Sequence, residues 1–166
     1  MKSLKFASLL TILSLVSVLQ SSVFALDRTA RLGLGMSNQL LGDYPAISFK
    51  LQKSKTFAFG GLLSYNNRSL GGWGAGLKIY RNIFDEPQLN FYTSLLGALI
   101  NEKISETESE SGFQFDLTLG SEFSFANLNS IGMSFEFGLS LNKLEDDFIL
   151  EVANHSFVVA GIHFYL

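Results

Sequence analysis

Residues 131–142 read Ile-Gly-Met-Ser-Phe-Glu-Phe-Gly-Leu-Ser-Leu-Asn, with a large apolar side chain at every odd position and a small or polar one at every even position. A period of two puts Ile131, Met133, Phe135, Phe137, Leu139 and Leu141 on one face of a β-strand, and Gly132, Ser134, Glu136, Gly138, Ser140 and Asn142 on the other. Strands of water-soluble domains are mostly about five or six residues long, whereas roughly ten tilted residues cross a bilayer. Sustained alternation over twelve residues therefore predicts a strand of membrane-crossing length.

The same rhythm recurs over 30–36, 46–52, 57–65, 73–80, 89–100, 113–125 and 158–166, which brings the expected strands to eight. Within 113–125 the apolar face has one gap, at Ser121. The intervening segments alternate in kind. Those at 37–43, 66–72, 101–111 and 143–154 are long and polar, those at 53–55 and 126–130 are short, and 82–88, with Pro87, breaks the pattern. Long outer loops alternating with short inner turns are expected of an outer-membrane barrel. The fold class predicted is all-β, an eight-stranded antiparallel up-and-down transmembrane β-barrel.

Which face points inward follows from volume. An eight-stranded barrel is only just wide enough for side chains to fill it. The many Phe, Leu and Ile side chains of the apolar face would overfill that space, while the Gly-, Ala- and Ser-rich face suits a crowded lumen. The lumenal face also carries balanced charges, Arg31, Lys50 and Lys78 against Asp116, Glu122 and Glu136. Buried charges must be paired, so an internal salt-bridge network is expected, with Glu136 meeting Arg31, Lys50 or Lys78. Tyr80, Tyr92 and Tyr165 should help fill the lumen, and His163 should be a neutral, hydrogen-bonded interior residue. Tyr44, Tyr65 and Trp73 fall near outer strand ends and read as interfacial aromatics.

The first 25 residues read as a secretory signal peptide: Lys2 and Lys5 precede an apolar stretch from Leu9 to Leu19, and Val23-Phe24-Ala25 offers cleavage after Ala25. The barrel domain is then 26–166. Loss of Lys2 and Lys5 leaves 10 basic against 15 acidic residues and no basic stripe, so nucleic acid is not an expected partner. There is no cysteine, which excludes disulfides and thiolate metal sites.

The last residues, Gly161-Ile162-His163-Phe164-Tyr165-Leu166, follow the order glycine, two residues, aromatic, one residue, hydrophobic. This resembles the C-terminal strand motif of outer-membrane barrels, with leucine in place of the more usual phenylalanine at the end and Val159 where a polar residue is common. Together with the leader and the eight runs, the chain resembles the small eight-stranded outer-membrane barrels of the opacity-protein and outer-membrane-protein A transmembrane-domain type. The resemblance implies a Gram-negative outer membrane, contact with its lipid and lipopolysaccharide, and insertion by the outer-membrane assembly machinery with Gly161, Phe164 and Leu166 as the signal.

No catalytic constellation is expected. Asn154-His155-Ser156 places His and Ser next to one another, hence on opposite strand faces, with Glu151 the nearest acid. Glu102, Glu106, Glu108 and Glu110 have the chemistry for a divalent cation, but their spacing matches no defined calcium loop and they read as a solvated segment. The expected function is non-enzymatic and free of cofactor and metal: a monomeric barrel with a structural, adhesive or surface-interaction role through its outer loops and a plugged lumen. The alternatives are a narrow, porin-like passive channel, a lipid-A-modifying enzyme of the outer membrane, and a soluble lipocalin-like binder.

Overall fold

A computed structural model describes residues 28–42, 45–68, 70–105, 108–144, 147–153 and 158–166. The expected leader and its cleavage site lie outside the described residues. Among those described there are nine strands: β1 (Leu32–Ser37), β2 (Ala46–Gln52), β3 (Phe57–Asn66), β4 (Gly72–Glu86), β5 (Leu89–Lys103), β6 (Ser109–Phe125), β7 (Leu128–Leu144), β8 (Asp147–Val152) and β9 (Val159–Tyr165). All pair antiparallel with their neighbours. β7 meets β6 along one edge, and along the other it meets both β8 (Leu139↔Val152) and β9 (Ile131↔Phe164). β8 and β9 are thus two segments of one eighth stave. β9 in turn pairs with β1 (Gly35↔His163), which closes the barrel. Among the described residues no helix is long and apolar enough to cross a membrane.

The two faces sort as the alternation predicts. On β7, Phe135, Phe137, Leu139 and Leu141 face out and are exposed, whereas Ser134, Glu136, Ser140 and Asn142 are buried. The outward wall carries Leu34, Ile47, Leu63, Leu77, Leu99, Leu117 and Phe137, while Ser48, Lys50, Lys78, Ser94, Thr118 and His163 point into the lumen. Glycines on the inner face make room for the large lumenal groups. A Cβ on Gly120 would stand 2.8 Å from the Tyr92 ring, and one on Gly132 would stand 2.9 Å from a Glu122 carboxylate oxygen.

Several boundaries differ from the sequence reading. β4 continues through 82–86 before turning at Pro87-Gln88. A bulge between Asn82 and Phe84 inserts Ile83, which moves the period by one residue and ends a strict alternation without ending the strand. The polar stretch 101–111 is mostly strand, since β5 runs to Lys103 and β6 starts at Ser109. The acidic stretch 143–154 contains β8, whose Phe148-Ile149-Leu150 run has three successive apolar residues and so no readable alternation. The turn at 126–127 is tighter than the expected 126–130, with Asn127 in the left-handed region at φ 65°, a conformation asparagine tolerates well. The connections at 53–56, 87–88 and 126–127 share one end of the barrel, hereafter the turn end, with Arg28 and Leu166; the other end is the loop end.

Candidate functional site

Beside an apolar cluster of Leu40, Ala46, Leu62, Leu96 and Ala98, the interior carries a column of buried polar side chains. At the turn end Glu122, on β6, is its centre. It accepts from Lys50 Nζ at 2.8 Å, from the Tyr165 hydroxyl at 2.9 Å, and from Arg28 Nη1. Arg28 precedes β1. The chain reverses over 28–31, where Ala30 takes φ 64° and Arg31 N–H donates to the Arg28 carbonyl at 3.0 Å. The reversal swings Arg28 up into the barrel. There its guanidinium lies 4.0 Å over the Tyr165 ring, and Nη2 donates to Ser124 Oγ at 2.7 Å and to the Ile131 carbonyl at 3.1 Å.

One level up, Lys78 on β4 donates to both oxygens of Glu136 on β7, at 2.6 and 2.7 Å. The same carboxylate accepts from Tyr92 at 2.9 Å, Thr118 at 2.6 Å and Ser94 at 3.2 Å. Every lone pair of Glu136 is thereby used, which is the condition under which a buried ion pair is tolerated. Between the levels, Lys50 Nζ lies 4.6 Å from the Tyr80 ring centre and 4.8 Å from that of Tyr92. His163 Nε2 pairs with Ser48 Oγ at 2.8 Å.

At the loop end Asp116 on β6 is held by neutral amides. Gln114 Nε2 lies 2.9 Å from each of its oxygens, and Gln39 Nε2 lies 2.9 Å from Oδ2. Gln39 comes from the β1–β2 connection, which does not project outward as a polar loop over 37–43 should. Gln39, Leu40 and Leu41 are buried instead. Leu40 packs with Ala46, Leu62, Leu96 and Ala98, Leu41 N–H donates to Gln114 Oε1 at 3.0 Å, and the Gln39 amide oxygen accepts from Lys78 Nζ. Leu40-Leu41, an apolar pair inside a nominal loop, was the one sign of this in the sequence. Segments outside the strands therefore enter the lumen from both ends, Arg28 at one and Gln39–Leu41 at the other.

Of the six charges expected in the lumen, Lys50, Lys78, Asp116, Glu122 and Glu136 lie there. Arg31 does not. It is half-buried at the rim, donating from Nη2 to the Tyr165 carbonyl at 3.1 Å, and Arg28 occupies the place expected for it. The reason is the chain reversal, which sits outside the strand pattern and cannot be read from alternation. Tyr65 and Trp73 lie directly opposite one another on β3 and β4, both facing out near the loop end; Tyr44 lies outside the described residues. Phe164 on β9 and Leu166 just beyond it are exposed, and Gly161 is opposite Ser37 and Ser134. His155 and Ser156 also lie outside the described residues, and Glu151 accepts from Asn142 Nδ2. Among the described residues no three His, Cys, Asp or Glu side chains form a metal-binding group.

The Glu136 cluster makes a direct prediction. Tyr92→Phe removes one neutral donor from a carboxylate that keeps Lys78, Thr118 and Ser94. The expected loss is about 1.5 kcal/mol, at the low end for a hydrogen bond to a charged group, read as a lower urea midpoint of unfolding.

No protein-family model, curated protein or solved structure matches the chain. The functional reading rests on the wall and the lumen themselves.

Proposed function

We propose that this chain is an integral barrel of a bacterial outer membrane, exported by a cleaved leader, with a closed lumen and a structural, adhesive or surface-interaction role carried by its loop end. The observation that supports this reading is the inversion of the two faces. Leu77 on the outside is 73% exposed while Glu122 on the inside is 1% exposed, and the same contrast repeats around the wall. Apolar area left in water costs about 25 cal/mol per Å², and monomeric soluble proteins rarely show contiguous apolar patches above a few hundred Å². Hydrocarbon around the wall removes that cost, and the polar column satisfies itself internally.

In this reading Tyr65 and Trp73 anchor the outer interface, and Gly161, Phe164 and Leu166 present the strand recognised by the assembly machinery. A lumen filled by Glu122, Glu136 and their partners opposes a passive channel. The test is a membrane fraction washed with alkaline carbonate and run unboiled and boiled on a gel. The expected result is retention in the pellet with a heat-dependent mobility. Release into the carbonate supernatant would instead favour a soluble, lipocalin-like binder. Planar-bilayer recording should show no stable conductance; steady nanosiemens steps would overturn the closed lumen in favour of the channel.

A further inference from the structure

A cation is set into the apolar outer wall near the turn end. Arg81 on β4 is directly opposite Phe57 on β3 and Thr93 on β5, and Thr93 is opposite Leu119 on β6. Phe57 and Leu119 are exposed on the outside, and cross-strand partners share a face, so Arg81 points outward with them. The apolar wall does not stop at this rung. Ile79 is exposed on the loop side of Arg81, and Ile83 and Phe84 are exposed on its turn side. Phe84 also stacks on Phe91, with ring centres 4.4 Å apart.

Strand geometry gives the depth. Arg81 follows Trp73 by eight residues on β4, which is roughly 26 Å along the strand at about 3.3 Å per residue. A tilt of about 40° reduces this to roughly 20 Å along the barrel axis, less than the apolar band of about 25 Å that outer-membrane barrels present. With Trp73 at the outer interface, the Arg81 backbone falls inside the opposite edge of the band. Its guanidinium makes no hydrogen bond or ion pair among the described residues. Asp85 and Glu86 follow on β4 beyond the bulge at Ile83, and neither is joined to it. Lys53 and Lys55 lie in the β2–β3 turn, which Asn82 Nδ2 ties to β4 by donating to the Lys55 carbonyl at 2.7 Å. A cation facing hydrocarbon is costly unless it reaches the interface or meets an anion there.

A second feature lies directly beside it. Phe57, Ile79, Leu95 and Leu117, with Arg81 and Thr93 at one end, line a groove of 210 Å³ on the outer wall. The groove exists because Thr93 is short between Arg81 and Leu119. From Arg81 it runs toward the loop end, that is, toward the middle of the band. Cation at the edge and apolar groove leading inward match the polarity of a phospholipid.

We infer that Arg81 and this groove hold one anionic glycerophospholipid of the inner leaflet, the leaflet that the short turns face. Its phosphate accepts from the Arg81 guanidinium, a fork suited to phosphate oxygens, and one acyl chain lies over Ile79, Leu95 and Leu117. An anionic lipid neutralises the arginine, whereas a zwitterionic one brings its own cation to the same place. The inference rests on the membrane reading above.

The test folds the full mature chain into vesicles of equal parts phosphatidylglycerol and phosphatidylcholine with the same acyl chains. The barrel is then extracted in a mild detergent and its retained lipids are counted by native mass spectrometry. The expected result is one phosphatidylglycerol per barrel, in excess over phosphatidylcholine. Arg81→Gln should reduce that excess about tenfold or more, as loss of a charge-assisted hydrogen bond requires. Thr93→Phe, which fills the groove and leaves Arg81 in place, should reduce it as well. Arg68→Gln, in the β3–β4 connection at the loop end, should leave it unchanged, and all three variants should still give a heat-modifiable band. A barrel that enters the vesicles but retains both lipids equally, or whose preference survives Arg81→Gln and Thr93→Phe, overturns the site and leaves the membrane reading standing. A chain that does not enter the vesicles overturns the membrane reading and the site with it.

Discussion

Glu122→Gln should lower the stability of the barrel by roughly 3–5 kcal/mol, the cost of removing one partner from a buried ion pair. The substitution changes almost no volume and opens no cavity. What it does is strand Arg28 and Lys50, each 3% exposed, beside one another with no anion between them. The Tyr165 hydroxyl loses its charged acceptor at the same time. The measurement is the urea midpoint of the barrel folded in lipid vesicles, read from the fraction of folded band on an unboiled gel. Adding Lys50→Met to Glu122→Gln separates charge from packing. If stranded charge is the cause, the double variant recovers part of the loss, because one of the two buried cations is gone. If Glu122 acts only by filling space, the second substitution adds to the damage. An unchanged midpoint in Glu122→Gln would mean that water reaches this level of the lumen and screens the cations, and the closed column would have to be abandoned.

That prediction depends on Arg28, a residue the alternation does not reach. Alternation works where a strand is held on both edges and each face meets one environment throughout. β7 satisfies both conditions, and residues 131–142 show its face pattern without ambiguity. It also shows that Glu136 points inward, because a slip of one residue would turn every phenylalanine of the strand into the lumen. Which cation meets Glu136 is another matter. Lys78 lies on β4, and the barrel brings the two together across the lumen, a distance set by closure and by the tilt of the staves rather than by anything local. Arg28 and Gln39 are harder still. Both reach the lumen from chain reversals outside the ladder, where a single left-handed residue such as Ala30 decides the direction. Ile83 and β8 mark a further limit, since an inserted residue or three successive apolar side chains erase the period while the backbone pairing carries on beyond them.

Leu77→Arg should separate a barrel in lipid from a barrel in water. Leu77 is 73% exposed and stands near the middle of β4, with Trp73 four residues toward the loop end and Arg81 four residues toward the turn end. At about 3.3 Å per residue it is roughly 13 Å along the strand from each. Its direct neighbours on β3 and β5 are Gly61 and Gly97, so little packing is lost when it is replaced. In water such a surface substitution falls within about 0.5 kcal/mol. At the midplane of a bilayer an outward arginine costs roughly 2–4 kcal/mol, and the cost falls to about 0–1 kcal/mol near the interfaces. Leu70→Arg is the control, because Leu70 is similarly exposed, at 69%, but lies in the β3–β4 connection. Folded into vesicles, Leu77→Arg should lower the urea midpoint clearly while Leu70→Arg leaves it near that of the parent. Equal small effects at both positions would place the wall in water, and the apolar belt would then need a protein partner to cover it.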